Sequence, residues 1–129
     1  MKPRLAIVDD DTIFQFTTKV KIQKLGYTSD IHIFNDGEEI MNYIKSPDNS
    51  EPFDIILLDI NMPIMDGWDF LEAYNSYLGN EESKIKIFML SSSINPVDVN
   101  KAKSHSLVND YIIKPIKDED LSQIFSTNY

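Results

Sequence analysis

Asp9, Asp10 and Asp11 stand in a row, another aspartate stands at position 59, Ser91-Ser92-Ser93 come later, and Lys114 precedes Pro115. Carboxylates, hydroxyls and one ammonium group are the parts that phosphoryl transfer uses. Brought together, the carboxylates repel: two like charges at roughly 4 Å cost about 1 kcal/mol in water and about 4 at an effective dielectric near 20. A hard divalent cation relieves that strain. The chain has no cysteine, and neither His32 nor His105 shows a ligand pattern. All ligands on offer are therefore oxygens, which favours Mg²⁺, or Mn²⁺, over zinc or copper. Beside such a cation a carboxylate can attack a phosphoryl group in line, with the metal neutralising charge on the equatorial oxygens. Asp59 suits the nucleophile, Lys114 a point charge on the phosphoryl oxygens, and Ser91 a hydroxyl donor to them.

Residues this far apart meet only if a fold gathers them. Short apolar runs alternate with amphipathic stretches, the pattern of βαβ units around a buried parallel sheet. The runs predict strands at 5–8, 29–34, 54–58, 86–90 and 110–113. Ile13, Phe16 and Val20 have helical spacing and Gly26 stands at a C-terminal cap position, so residues 12–25 are expected to form the first helix, with that stripe inward. Asp36 or Asn35 caps a second helix, with Glu38 and Glu39 in its first turn and Ile40, Met41 and Ile44 facing in. Residues 46–50 close it. Trp68, Leu71, Tyr74 and Leu78 mark a third helix, Asn95-Pro96 opens a fourth and residues 117–125 make a fifth. With no repeat, linker or second domain legible, residues 1–129 are expected to form one three-layer α/β sandwich. In open parallel sheets ligands gather at the carboxyl ends of strands. Those ends carry Asp9, Asp10, Asp59, Ser91 and Lys114.

At these positions the chain resembles the receiver domains of response regulators. The resemblance lies in Leu5-Ala6-Ile7-Val8-Asp9-Asp10-Asp11, in Leu57-Leu58-Asp59-Ile60-Asn61-Met62-Pro63 with Asp66-Gly67 after it, in Met89-Leu90-Ser91-Ser92, and in Tyr111-Ile112-Ile113-Lys114-Pro115. It covers nearly the whole chain in order and spacing. It implies a flavodoxin-like sheet of strand order 2-1-3-4-5 flanked by helices. It implies Asp59 as phosphoacceptor, Asp9 and Asp10 as the acidic metal pair, and Asn61 as donor of a backbone carbonyl to Mg²⁺. Ser91 matches the hydroxyl that detects the phosphoryl group, Tyr111 the aromatic switch, and Lys114-Pro115 a cis peptide bond. Phosphorylation would come from a histidine kinase or phosphotransfer protein. Two departures stand out: Ser92 takes a place usually held by Ala, and His105-Ser106-Leu107-Val108-Asn109 lacks the usual Gly-Ala before the fifth strand.

Composition narrows the partners. The chain of 129 residues is 42% hydrophobic and 26% charged, with a formal charge of -9. That balance disfavours nucleic acid and anionic lipid as direct partners. The absence of cysteine gives no sign of an oxidising compartment, and the apolar stretch Leu5–Val8 is too short for a signal peptide or membrane span. A cytoplasmic protein, monomeric or weakly dimeric, is expected. As no effector domain follows Tyr129, output would pass through contacts with an unidentified protein target, or the domain would relay or drain phosphate.

Other functions use similar parts. Taken alone, Asp9-Asp10-Asp11 is a helix-capping loop, Ser91-Ser92-Ser93 a polar loop, and Tyr111 a half-buried strand aromatic. A haloacid-dehalogenase-like phosphatase also uses an aspartyl nucleophile and Mg²⁺, but needs a titratable acid two residues later, where this chain has Asn61. A flavodoxin-like binding module would need a phosphate-cradling loop where Asp9, Asp10 and Asp11 repel anions. A receiver serving as an unphosphorylated scaffold is the remaining alternative.

Overall fold

The computed structural model describes residues 2–47 and 51–126. Five strands alternate with five helices: β1 (Leu5–Val8), α1 (Thr12–Lys24), β2 (Ile31–Phe34), α2 (Gly37–Lys45), β3 (Ile55–Asp59), α3 (Gly67–Leu78), β4 (Lys86–Ser91), α4 (Pro96–Ser104), β5 (Val108–Ile113) and α5 (Asp118–Ile124). All strand pairs are parallel and their order is β2-β1-β3-β4-β5. This is the flavodoxin-like order that the receiver resemblance implies.

Parallel central strands are covered on both faces, so their residues alternate between two cores. Leu5, Ile7, Ile55 and Leu57 pack with Ile22 of α1 and with Leu121 and Ile124 of α5. Ala6, Val8, Ile56 and Leu58 pack with Ile40 of α2, Phe70, Leu71 and Tyr74 of α3, and Ala102 of α4. The sheet is thus the middle layer of three.

Side-chain caps fix where the helices start. Asp11 accepts from the amides of Ile13 and Phe14, Asp36 from Glu39, Asp66 from Asp69, and Asn95 from Val97, each at 2.8 to 3.2 Å. Of the two caps open at α2, Asp36 is the one used. Gly26 follows α1 at φ 79°, and the bonds Tyr27 N–H to Ile22 O and Gly26 N–H to Gln23 O form a Schellman ending. Residues 48–50, part of the turn expected after α2, lie outside the described residues.

Two expectations are corrected. Ile13 and Phe16 are 74% and 67% exposed and Val20 is only half-buried, whereas Gln15, Thr18 and Ile22 form the inner face of α1. Both sets share the spacing i, i+3, i+7, so periodicity sets the pitch but not the face. β5 starts at Val108 rather than at 110, because the pairing slips between Ile87 and Phe88 and the side chain of the extra Asn109 accepts the Ile87 amide at 3.2 Å.

Candidate functional site

Asp9 leaves the end of β1 and is completely buried, while Asp10 beside it is exposed. Four of its atoms are held. Its amide donates to Phe34 O at 3.0 Å, its Oδ1 accepts from the Asp11 amide at 2.9 Å, and its Oδ2 accepts from Lys114 Nζ at 2.6 Å. Its carbonyl accepts from Gln15 Nε2.

Asp59 closes β3, the central strand, and is 6% exposed. The loop after it turns back tightly: Ile60 N–H donates to Leu90 O at 3.1 Å and Gly67 N–H to Ile60 O at 2.9 Å. A Cβ on Gly67 would lie 2.6 Å from Asp59 O, so glycine is demanded by close approach rather than by its dihedral angles. Within this loop Met65 N–H donates to Pro63 O at 2.7 Å around Ile64, whose φ is 67°. A β-branched residue in that region is strained, and Ile64 is 76% exposed.

Asp9, Asp10 and Asp59 each offer a carboxylate oxygen, all within 4.8 Å of one another. Burial raises the Asp59 pKa first, and the Asp9 charge adds to it. Lys114 opposes both, leaving Asp59 lifted from 3.8 to about 6. Lys114 Nζ reaches to 3.4 Å from Asp59 Oδ1 and lies 4.4 Å from the centre of the Phe14 ring. Burial alone would lower the lysine pKa, but the Asp9 hydrogen bond and the two carboxylate charges outweigh it and hold the ammonium above its ordinary value. Lys114 is anchored by its own amide on Ser91 O at 2.9 Å, and its bond to Pro115 is cis, as the resemblance implies.

Ser91 ends β4 one position beyond Leu90, the residue paired with Asp59, and is buried. Its Oγ accepts from the Ser93 amide at 3.1 Å, and the Ser93 carbonyl accepts from the Tyr111 hydroxyl at 2.8 Å. Ser93 thereby links the buried hydroxyl to the half-buried tyrosine. Asn61 is exposed in the loop after β3, and Ser92 is exposed beside Ser91.

Of the positions singled out from sequence, Asp9, Asp10, Asp59 and Lys114 are drawn into one acidic pocket, with Ser91 at the end of the neighbouring strand and Asn61 two residues after Asp59. Gln15 and Ser93 had no such signal: a glutamine in a helix is ordinarily a surface residue, and a third serine in a polar loop carries no pattern. The pocket provides several oxygens within the span that a hard cation bridges, a nucleophile and a fixed ammonium group.

The chain matches the response regulator receiver domain over residues 5–126. It is 31% identical over 125 residues to hybrid signal transduction histidine kinase I of Dictyostelium discoideum, covering 96% of this chain and 7% of that protein. It is 29% identical over 122 residues to the two-component response regulator ARR10 of Arabidopsis thaliana, covering 95% of this chain and 20% of that protein. The chain therefore spans a small part of these relatives. Among solved structures, a two-component response regulator from Cytophaga hutchinsonii superposes with a TM-score of 0.86 at 25% identity, over 98% of this chain and 96% of that one.

Proposed function

Because the chain belongs to the response regulator receiver domain family, we propose that Asp59 accepts a phosphoryl group from a histidine kinase or phosphotransfer protein in a Mg²⁺-dependent reaction. The observation that carries this reading is the convergence of Asp9, Asp10 and Asp59 within 4.8 Å, with Lys114 spanning Asp9 and Asp59.

An Asp59 carboxylate oxygen attacks phosphorus in line. The new O–P bond forms as the N–P bond to the donor histidine breaks, and the imidazole leaves with the bonding electron pair. The pocket suits a Mg²⁺ site, with Asp9, Asp10, Asp59 and the Asn61 carbonyl as holders, and the cation would supply neutralising charge to the phosphoryl oxygens. Lys114, which stands 3.4 Å from Asp59 Oδ1, would pair with the phosphoryl oxygens, exchanging its carboxylate contacts for a phosphoryl one. Ser91 donates its hydroxyl to them. Its Oγ can keep the Ser93 amide while doing so, because a hydroxyl both donates and accepts. Movement of Ser91 is transmitted through Ser93 to Tyr111, which biases the surface formed by α4, β5 and α5. Output through altered protein contacts in the cytoplasm completes this reading. Catalysis is confined to slow self-phosphorylation and dephosphorylation, since Asn61 cannot serve as general acid or base.

Incubation with acetyl phosphate tests it directly by intact mass. The expected result is a gain of one phosphoryl group with Mg²⁺, absent under chelation and absent in Asp59→Asn. No gain under any condition, or an undiminished gain in Asp59→Asn, would remove Asp59 from this role.

A further inference from the structure

Gln15 is a polar side chain on the buried face of α1, 8% exposed, where ordinary patterning places apolar residues. Its amide nitrogen donates twice, to the Asp9 carbonyl and to Asn35 Oδ1, the latter at 2.9 Å. Asn35 is fixed in turn, its backbone N–H donating to Glu39 Oε1 at 2.9 Å and its side-chain nitrogen to Glu39 Oε2 at 3.4 Å. One side chain thus ties the acidic loop after β1 to the loop between β2 and α2.

The acceptor atom is the informative part. The Asp9 carbonyl belongs to the peptide unit joining Asp9 to Asp10, and a planar peptide whose oxygen is pinned has its orientation set. The Asp9 side chain is held independently by the Asp11 amide and by Lys114. Asp10 is exposed and takes its place from that peptide. We infer that Gln15 is a positioning residue for the acidic pocket, setting divalent-cation affinity by orienting the Asp9–Asp10 peptide and hence the Asp10 carboxylate, without touching the cation itself. This inference rests on the phosphoacceptor reading of the same pocket.

Gln15→Met keeps length and volume while removing both donors. Titration with Mg²⁺, followed by Trp68 fluorescence or calorimetry, should show affinity about five- to tenfold weaker, near the lower end of what loss of a supporting hydrogen bond costs a metal site. Placed on Asp10→Ala, the same change should weaken Mg²⁺ binding less than twofold further, because the carboxylate it positions is gone. A merely structural role would give the same added loss in both backgrounds. Should Gln15→Met fail to fold, Asn35→Ala at an exposed position removes the second anchor, and a two- to threefold loss in affinity is expected. A folded Gln15→Met within twofold of the unchanged protein, or full additivity with Asp10→Ala, overturns the inference while leaving the pocket reading intact, as does an unaltered affinity in Asn35→Ala. If the unchanged protein binds no Mg²⁺, or Asp10→Ala leaves its affinity unaltered, both are overturned.

Discussion

The ammonium of Lys114 sits 2.6 Å from Oδ2 of Asp9, a carboxylate with no solvent exposure at all, although the two residues come from opposite ends of the chain. In the absence of a cation this pair keeps a buried charge compensated. Replacing Lys114 with Met strands Asp9, and removal of one partner of a buried pair costs on the order of 3 kcal/mol. The variant should melt well below the unchanged protein in chelator, and Mg²⁺ should raise its Tm more than it raises that of the unchanged protein. Equal Mg²⁺ effects in thermal melts would show that lysine and cation do not share the task of neutralising Asp9.

Asp59 titrates near 6 in the fold against 3.8 unperturbed. Between these values the folded chain holds more protons than the unfolded chain, so this group makes stability fall as pH rises from about 4 to about 6. Its full cost is present above that window. Asp59→Asn should therefore stabilise the metal-free protein at pH 7.5 by about 3 kcal/mol and lose that advantage toward pH 4. Urea melts at the two pH values decide the matter, and a variant no more stable than the unchanged protein at pH 7.5 would refute the assignment.

Gly67 has no room for a side chain. A methyl group there would stand 2.6 Å from Asp59 O and 2.9 Å from Met89 Cε. The methionine end can yield, but the strand carbonyl cannot without moving Asp59. Gly67→Ala should cost roughly 1 to 3 kcal/mol by overpacking and should also weaken Mg²⁺ binding. Chemical denaturation paired with cation titration measures both.

Ile64 is held at φ 67° with its side chain in solvent, so it bears backbone strain without compensating burial. Asparagine tolerates that region far better. Ile64→Asn should raise stability by about 0.5 to 1 kcal/mol and leave the rate of acetyl phosphate labelling within twofold. A less stable variant would mean that Ile64 makes contacts its exposure conceals.

Much of the molecule can be read along the chain because its signals are local. Apolar runs such as Leu5–Val8 and Ile55–Leu58 mark strands buried on both faces. Asp36, Asn95 and Gly26 mark helix ends because caps act within a few residues. The candidate site follows from these, since Asp9, Asp59, Ser91 and Lys114 fall where strands give way to loops. The bulge at Asn109 was beyond such reasoning, for pairing register depends on a partner strand.

The order of elements, the oxygen-only ligand set, and the acidic residues and lysine at the strand ends are legible along the chain, because spacing and residue type are local properties. Which face of α1 turns inward, placing Gln15 on the Asp9 carbonyl and leaving Ile13 and Phe16 in solvent, is set by packing against the assembled sheet. Two helical stripes of equal spacing compete on α1, and no local signal separates them. The choice between them is made by groups far away in sequence, Asn35 on Gln15 and Leu121 and Ile124 in the cluster around Ile22 among them, whose positions exist only once the sheet has assembled.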